Sequence, residues 1–291
     1  MRQTLYRFFT LLALCCLLTA YASGSPARRR ASPKPRPRRQ TDIQLVLGNP
    51  SGATTSTTDK NNFLMVKKQF VLSYNDDKGG ANWVTWHLQK SDIGTINRGD
   101  FHVDKDLPAG FKRVTKADYN KTGFDRGHLC NSKDRTNNKT NNDATFNMTN
   151  ILPQRPGNNQ GPWKRLEDFS RTLAHQGDEM YILAGAYSSI RTIAHGKVNV
   201  PKTFWKVIVV LPKGSGDLSR INADTRAIAV CMPNRNSIRP NDWRRYVTTI
   251  RNIESKTGFN FLSELSNDVQ DAIENRKDSE AKNRAATNPC R

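Results

Sequence analysis

The sequence is short of acidic residues and of apolar residues. Its 291 residues include 26 Asp and Glu against 46 Lys and Arg, a formal net charge of +20, and only 36% are hydrophobic. No stretch suits a multi-span membrane protein, and the length allows one large domain or two small ones with a buried core. The excess of positive charge indicates a polyanionic partner or substrate, but charge alone does not separate nucleic acid from lipid headgroups or acidic glycans.

Several motifs of catalysis and metal binding are missing. The sequence has no GxxxxGK[ST] loop and no GxSxG elbow, which argues against a P-loop nucleotide hydrolase and an α/β-hydrolase. Its five histidines form no HxH or HExxH pair, and its five cysteines form no CxxC pair. A multi-histidine metal site and a cysteine zinc site are therefore set aside.

The first 22 residues have the pattern of a secretory signal peptide. Arg2 and Arg7 flank the start of the apolar run Phe8–Leu18, and the small residues around Ala22 form a cleavage site. The run is shorter than the roughly 20 residues that a transmembrane helix needs. We therefore expect cleavage after Ala22, secretion to an extracellular or periplasmic location, and no stable membrane insertion afterwards.

Residues 23–41 form an Arg- and Pro-rich segment that contains PARRRASPKPRPRR and no acidic residue. Such a composition cannot bury a core and predicts an extended, disordered arm. The arm is either a passive linker or a tether that adds contacts to phosphate or to the cell envelope. Residues 42–291 retain 37 basic and 26 acidic side chains, a net charge of +11, and three cysteines whose pairing stays open: Cys130, Cys231 and Cys290.

Residues 42–291 have the pattern of a single mixed domain. Strand-forming segments and helical segments come in clusters rather than in strict alternation, which favours an α+β fold with a largely antiparallel sheet. Asn75–Gly80 is a turn signal between two strands, so a hairpin is expected there. The predicted strands are 63–73, 82–89, 180–186, 204–211 and 227–232, and the predicted helices are 163–176, 242–256 and 265–276.

A cluster of polar residues between positions 98 and 171 carries the candidate chemistry. Asp125-Arg126-Gly127-His128 is followed by Asn159 and, eight residues later, by Glu167. Each piece alone has a structural explanation. Asp125 can cap a turn, Asn159 can cap the helix that begins near Trp163, and Glu167 can form an ordinary surface pair with Arg171.

Taken together, these residues resemble the active-site signature of the DNA/RNA non-specific endonucleases, which are ββα-metal nucleases. The likeness is greatest to a secreted cyanobacterial sugar-non-specific member and covers most of the chain after the arm. It implies an α+β fold of the ββα-metal (His-Me finger) type, with a central, largely antiparallel sheet flanked by helices. Other matching stretches are 45–54, 82–84, 107–110, 148–150, 153–154 and 241–244.

The resemblance also implies a role for each residue of the metal centre. His128 is expected to be the general base that takes a proton from the attacking water. Asn159 is expected to be the one direct protein ligand of a Mg²⁺ ion, with Mn²⁺ as a substitute, because such an ion keeps most of its waters. Glu167 is expected to hydrogen-bond the metal-bound waters and so orient them.

The same resemblance implies roles for the charged residues around the metal centre. Arg98, Arg126 and Arg171 are expected to bind substrate phosphate, with Arg171 also pairing with Glu167, and Asp125 is expected to hold its loop. Attack by water needs no 2′-hydroxyl, and contacts to the phosphate backbone carry no base information. The implied substrates are single- and double-stranded DNA and RNA, and the implied products carry 5′-phosphates. A protein inhibitor stays open as a further partner.

Three alternatives belong to other classes. A non-enzymatic nucleic-acid-binding protein would have a decayed site, whereas His128, Asn159 and Glu167 are all present. A metal-dependent phosphatase normally gathers several Asp and His ligands, and a single neutral Asn does not provide them. A mitochondrial endonuclease would begin with an amphipathic transit peptide rather than with a continuous apolar segment.

Overall fold

The fold is built on a large antiparallel sheet in a computed structural model that describes residues 42–279 and Cys290. Seven strands lie in the order β1-β2-β3-β6-β7-β8-β9, and every adjacent pair is antiparallel. The predicted α+β class with a largely antiparallel sheet is therefore confirmed. The predicted signal peptide (1–22) and arm (23–41) lie outside the described residues. The strands of this sheet are β1 (Phe63–Val66), β2 (Val71–Asn75), β3 (Gly80–Leu88), β6 (Asp178–Ile193), β7 (Val198–Pro212), β8 (Arg226–Pro233) and β9 (Val247–Thr248).

A second, two-stranded sheet is inserted between β3 and β6 in the sequence. It pairs β4 (Asp125–His128) with β5 (Ile151–Gln154), and a 13-residue helix follows, α3 (Lys164–Gln176). This β4-β5-α3 unit carries the residues of the candidate site. The remaining helices are α1 (Lys139–Ala144), α2 (Pro156–Asn158), α4 (Asp217–Arg220), α5 (Ile250–Thr257) and α6 (Asn267–Glu274).

The large sheet has an apolar core on each face because successive side chains of a strand point to opposite sides. Trp86 of β3 belongs to the core that includes Trp163 and Leu166. Trp83, three residues earlier on the same strand, belongs to the core that includes Ile250 and Ile253. Helix α3 therefore covers one face of the sheet, and α5 covers the other. The β4-β5-α3 unit lies on the first face.

A third apolar cluster supports the small sheet. The end of the long β6–β7 hairpin, with Ile193, Val198 and Val200, packs against Phe124 and Ile151 at the two ends of the β4–β5 pair. Each of these side chains is buried, and burial of one such side chain stabilises a fold by roughly 1.5–3 kcal/mol. The hairpin therefore holds β4 in place although that strand is short and polar.

Several local predictions were wrong or incomplete. Residues 63–73 were predicted as one strand, but they contain β1 and the start of β2, two separate strands that pair with each other. The helix predicted over 242–256 is interrupted by β9, whose Val247 pairs with Val230 of β8, and only α5 is helical beyond it. No helix in the described part of the chain is both long and apolar enough to span a membrane.

Of the three cysteines, two are joined. Cys231 of β8 forms a disulfide with Cys290, 59 residues later, whereas Cys130 is a buried free thiol. The disulfide connects the last described residue to the sheet on the face that α5 covers.

Candidate active site

His128 occupies the last position of β4, opposite Ile151 of β5. Its imidazole is 9% exposed and lies between two aromatic rings, with centroids 5.3 Å away for Phe101 and 4.9 Å away for Phe146. Its Nε2 atom has no hydrogen-bond partner within the described chain. The ring is thus fixed in position, and its Nε2 atom is buried without a partner among the described residues.

Two causes keep this imidazole neutral. Burial is the larger, and the positive charge of Arg98 is the second; together they lower the pKa of His128 to about 3. At neutral pH the side chain is therefore uncharged, which is the form that a general base requires.

Arg98 lies on an exposed loop beside the same aromatic rings. Its guanidinium carbon is 5.3 Å from the ring centroid of Phe101 and 5.3 Å from that of Phe146. No carboxylate of the described chain comes within 4 Å of it. The aromatic rings hold the guanidinium over the cleft, and its charge is available to an external anion.

Asn159 is oriented by the first residue of β4. Its Nδ2 atom donates a 2.8 Å hydrogen bond to Oδ2 of Asp125, and Gln160 donates to the same oxygen at 2.9 Å. Since the amide nitrogen is used in this way, the oxygen Oδ1 is the atom of Asn159 that can bind a cation. Asp125 therefore connects β4 to residues 159 and 160 and sets the orientation of this amide.

Glu167 lies on the first turn of α3 and is 5% exposed. Its Oε1 atom is buried without a hydrogen bond and lies 3.5 Å from Nζ of Lys206, a buried lysine of β7. Burial raises the pKa of Glu167, and the charges of Lys206 and Arg171 and the Asn131 side chain oppose that rise. Lys206 and Asn131 were not among the residues predicted from the sequence.

The expected pairing of Arg171 with Glu167 does not occur. Arg171 donates through Nη1 to Oδ1 of buried Asp134 at 2.8 Å, and through Nη2 to Oδ1 of Asp168 at 2.5 Å. These two carboxylates hold the guanidinium at the side of the cleft. Residues 167 and 171 are four apart on one helical face, but Asp134 comes from another segment and provides the better-placed partner.

Arg126 is held by backbone and ring contacts. Its Nε and Nη2 atoms donate to the carbonyl oxygen of Lys116, at 3.1 and 2.8 Å, and Nη2 also donates to Asn120. The guanidinium carbon is 5.6 Å from the ring centroid of Phe101, the ring that also contacts Arg98 and His128. One aromatic side chain therefore positions three basic groups of the site.

These side chains line a common cleft of about 180 Å³. Six of the seven residues predicted from the sequence lie on its wall, and the seventh, Asp125, reaches it through Asn159. The wall also contains polar residues that the sequence reasoning missed. The predicted residues are Arg98, Arg126, His128, Asn159, Glu167 and Arg171, and the additional ones are Asn131, Ser132, Lys133, Gln160, Lys164 and Asp168.

A second group of potential metal ligands lies on the opposite face of the sheet. Atoms of His87, Glu179 and Asp217 lie within 4.8 Å of one another. However, Nη2 of Arg220 already contacts Oε1 of Glu179 and Oδ1 of Asp217, and the Tyr181 hydroxyl donates to Asp217. Because a guanidinium already balances these carboxylates, the cleft around Asn159 is better suited to a divalent cation.

Comparison with known proteins identifies the family of the chain. The model of the DNA/RNA non-specific endonuclease family matches residues 47–268. A nuclease of Nostoc sp. is 45% identical over 269 residues, which is 92% of this chain and 98% of that protein. Mitochondrial endonuclease G of Homo sapiens is 30% identical over 217 residues, which is 69% of this chain and 70% of that protein.

A solved structure shares the same architecture. The crystal structure of an EndoG/EndoGI complex has a TM-score of 0.65 to this chain at 24% identity, covering 77% of this chain and 91% of that one. This likeness confirms the ββα-metal nuclease fold that the sequence predicted. The match of the family model over residues 47–268 and the identity to the Nostoc nuclease show that the chain belongs to the DNA/RNA non-specific endonuclease family.

Proposed function

We propose that this chain is a secreted, metal-dependent endonuclease that hydrolyses phosphodiester bonds of both DNA and RNA. The observation that carries the proposal is the meeting of three groups in one cleft. These are a neutral His128 with a free Nε2, the oriented amide of Asn159, and the uncompensated charge of Arg98. They correspond to a base, a ligand for a hard cation and a phosphate-binding group.

His128 accepts the proton of the attacking water. A pKa of about 3 would make it a weak base, but part of that depression comes from the charge of Arg98. When a substrate phosphate binds Arg98, this contribution is offset and the pKa of His128 rises towards its ordinary value. Base strength therefore increases when substrate is present, and general-base catalysis of this kind contributes roughly 10²–10⁴ in rate.

The donor set of the cleft fits a magnesium ion. Oδ1 of Asn159 would hold it directly, and Glu167 would accept hydrogen bonds from its waters, which is oxygen chemistry that Mg²⁺ prefers and that Mn²⁺ tolerates. When bound, such an ion neutralises charge on the scissile phosphate and provides an acidic water for the leaving oxygen. Asp125 acts on this centre by keeping the amide of Asn159 in one orientation.

The three arginines differ in how many protein groups already bind their guanidinium groups. Arg98 has no carboxylate partner within 4 Å in the described chain, so it is the proposed primary contact. Arg126 and Arg171 are already held by Lys116 and Asp134, and they act as fixed positive charges beside the phosphate. None of these contacts requires a ribose hydroxyl or a particular base, which supports DNA and RNA as substrates and 5′-phosphates as products.

Secretion is the proposed fate of the chain, with residues 1–22 as the signal peptide and 23–41 as a basic arm. The disulfide between Cys231 and Cys290 supports this because such bonds persist in oxidising compartments. The related EndoG was crystallised in a complex described as showing the mechanism of its inhibition. A protein that blocks the cleft is therefore included among the proposed partners.

A plasmid and RNA degradation assay with and without Mg²⁺ tests the proposal. We expect cleavage of both substrates with the ion and none in EDTA. His128→Ala should lower the rate by about 10²–10⁴ while its affinity for nucleic acid in EDTA stays near the parental value. His195→Ala, at the exposed turn between β6 and β7, is the matched control and should cleave normally. A His128→Ala protein that degrades plasmid at the parental rate would rule out this base.

A further inference from the structure

Two arginines outside the cleft share one aromatic ring. The guanidinium carbon of Arg155 is 4.2 Å from the ring centroid of Phe124, and that of Arg191 is 5.1 Å from the same centroid. Phe124 is buried, and it belongs to the apolar cluster that includes Val198 and Val200. The ring is therefore a fixed platform, and it holds both positive groups in place.

Nothing of opposite charge accompanies these arginines. In the chain from 42 to 279, no carboxylate oxygen comes within 4 Å of either guanidinium. Their protein contacts are long hydrogen bonds to backbone oxygens, 3.4 Å from Arg155 to Gly123 and 3.3 Å from Arg191 to Thr122. Two like charges held beside one ring repel each other, and an external anion would relieve that repulsion.

The pair lies next to the cleft along the β4–β5 sheet. Phe124 directly precedes Asp125, which binds Asn159, and Arg155 directly follows Gln154, the partner of Asp125 in the register. His128 is at the other end of β4, four residues from Phe124. At about 3.3 Å per residue, this separation is about 13 Å, which a nucleic acid strand spans within a few nucleotides.

We propose that Arg155 and Arg191 form a second phosphate-binding site, which contacts the substrate strand a few nucleotides from the bond that is cut. This inference rests on the proposed function because it takes nucleic acid as the ligand of the neighbouring cleft. The site adds affinity without base recognition, since guanidinium groups bind phosphate oxygens. It also makes binding depend on substrate length, because a shorter strand cannot reach both sites.

The experiment measures the salt dependence of binding with the full mature chain. A labelled single-stranded DNA of about 20 nucleotides is titrated in EDTA, where metal-dependent cleavage does not interfere, and log Kd is plotted against log salt. Each phosphate contact contributes about 0.7 to this slope for single strands, so Arg155→Ala with Arg191→Ala should reduce it by about 1.4. The control removes two charges elsewhere, through Lys213→Ala with Lys256→Ala, both exposed, and should leave the slope unchanged.

Two further measurements distinguish a loss of this site from damage to the cleft or to the fold. The Arg155→Lys with Arg191→Lys variant keeps both charges, and its slope should return to the parental value. Hydrolysis of a p-nitrophenyl ester of thymidine phosphate, which fills only the cleft, should be unaffected in the alanine variant. If even the parental chain fails to hydrolyse this ester, the proposed function fails, while the binding result still stands.

Three outcomes would overturn the second site. One is an unchanged slope in the alanine variant. Another is an equal reduction in the Lys213 and Lys256 control, since net charge alone would then explain the effect. The third is a lysine variant that binds as poorly as the alanine variant, because ring stacking rather than charge would then be responsible.

Discussion

At the scale of single residues, the least expected feature is a buried lysine behind the catalytic cleft. Lys206 is 1% exposed, and its Nζ is 4.1 Å from the ring centroid of Trp163 and 5.4 Å from that of Trp86. Burial lowers its pKa, and the charge of Glu167 opposes that effect. Within the described chain it is the only basic group within 4 Å of the Glu167 carboxylate. A cation in this position opposes the rise in the pKa of Glu167 that burial causes, and so favours the ionised carboxylate.

We expect Lys206→Met to weaken metal binding and turnover through Glu167. Without the ammonium group, burial raises the pKa of Glu167 further, and a protonated carboxyl group is a poorer acceptor of hydrogen bonds from metal waters. Loss of such an outer contact typically costs 10–100-fold in metal affinity or activity. Mn²⁺ affinity by titration calorimetry and kcat on plasmid would both be measured.

The controls for this prediction use another buried lysine and a double variant. Lys67 is also buried and pairs with Asp104 and Asp106, so Lys67→Met should reduce stability while Mn²⁺ affinity stays normal. In a Glu167→Gln background, Lys206→Met should cause no further loss of Mn²⁺ affinity. An equal loss with and without the Glu167 carboxylate would mean that Lys206 acts only on the fold.

At the scale of elements, the β4–β5 pair depends on a glycine whose role is close approach. A Cβ atom on Gly127 would lie 2.3 Å from Oε1 and 2.7 Å from Cβ of Gln154 on the neighbouring strand. Gln154 is fully buried, and both of its side-chain polar atoms lack partners within the described residues. Because rotation of the Gln154 side chain does not move its Cβ atom, a side chain at position 127 must shift β4 relative to β5 and, with it, His128.

Gly127→Ala is therefore expected to lower both stability and activity. Overfilling of a core of this kind costs about 1–3 kcal/mol, and displacement of the base should reduce kcat at least tenfold. Removal of the whole obstructing side chain, including its Cβ atom, in Gly127→Ala with Gln154→Gly should restore much of both. Thermal unfolding and plasmid cleavage of the single and double variants would be compared. If Gln154→Gly brings no recovery, contact with the Leu152 backbone rather than with Gln154 limits the strand.

The elements that sequence reasoning predicted are those with a strong pattern of their own. Alternation in 82–89 and the apolar runs in 180–186 and 204–211 predicted the main strands, and the structure confirms β3, β6 and β7. The β4 strand has the sequence Asp-Arg-Gly-His, in which apolar and polar residues do not alternate. Contacts with the β6–β7 hairpin stabilise this strand, so its own sequence did not predict it. Local pattern does not reveal a strand that is formed by distant contacts.

In the candidate site, too, residues of the sequence motif were predicted, whereas contacts between residues far apart in sequence were not. The motif residues on β4 and α3 were predicted through the family resemblance, and the fold brings them into one cleft. The partner of Arg171 was misjudged because Asp134 is 37 residues away in sequence, whereas Glu167 is only four. Lys206 was missed because a lysine within an apolar strand gives no local indication of which face it occupies.

At the scale of the whole molecule, the candidate active site and the disulfide lie on opposite faces of the large sheet. The cleft and α3 lie on one face, while α5, α6 and the Cys231–Cys290 disulfide lie on the other. The second face contains a charge cluster in which Arg251 meets Glu254, Asp271 and Glu274. Changes in this cluster should therefore alter unfolding without altering the chemistry of the cleft.

Glu274 makes the stability of the molecule depend on pH. It is fully buried, and Oε2 lies 3.1 Å from Nη1 of Arg251. Burial, and then the charge of Glu254, raise its pKa from 4.5 to about 7. Between these values the folded protein keeps a proton that the unfolded chain has released. The free energy of unfolding therefore falls as pH rises from about 4.5 to 7 and stays reduced above that range.

Glu274→Gln is expected to remove this dependence, because the amide keeps the shape of the side chain and carries no charge at any pH. At pH 8 the variant should be more stable than the parent by about 1–3 kcal/mol, and near pH 5 the difference should shrink towards zero. Urea unfolding at pH 5, 6, 7 and 8 would measure it, with the exposed Glu264→Gln as the control that should change little. A stabilisation of the same size at every pH would mean that Glu274 is not protonated in the folded protein. Cleavage of plasmid at pH 8 should be equal in parent and variant, since the cluster lies across the sheet from His128.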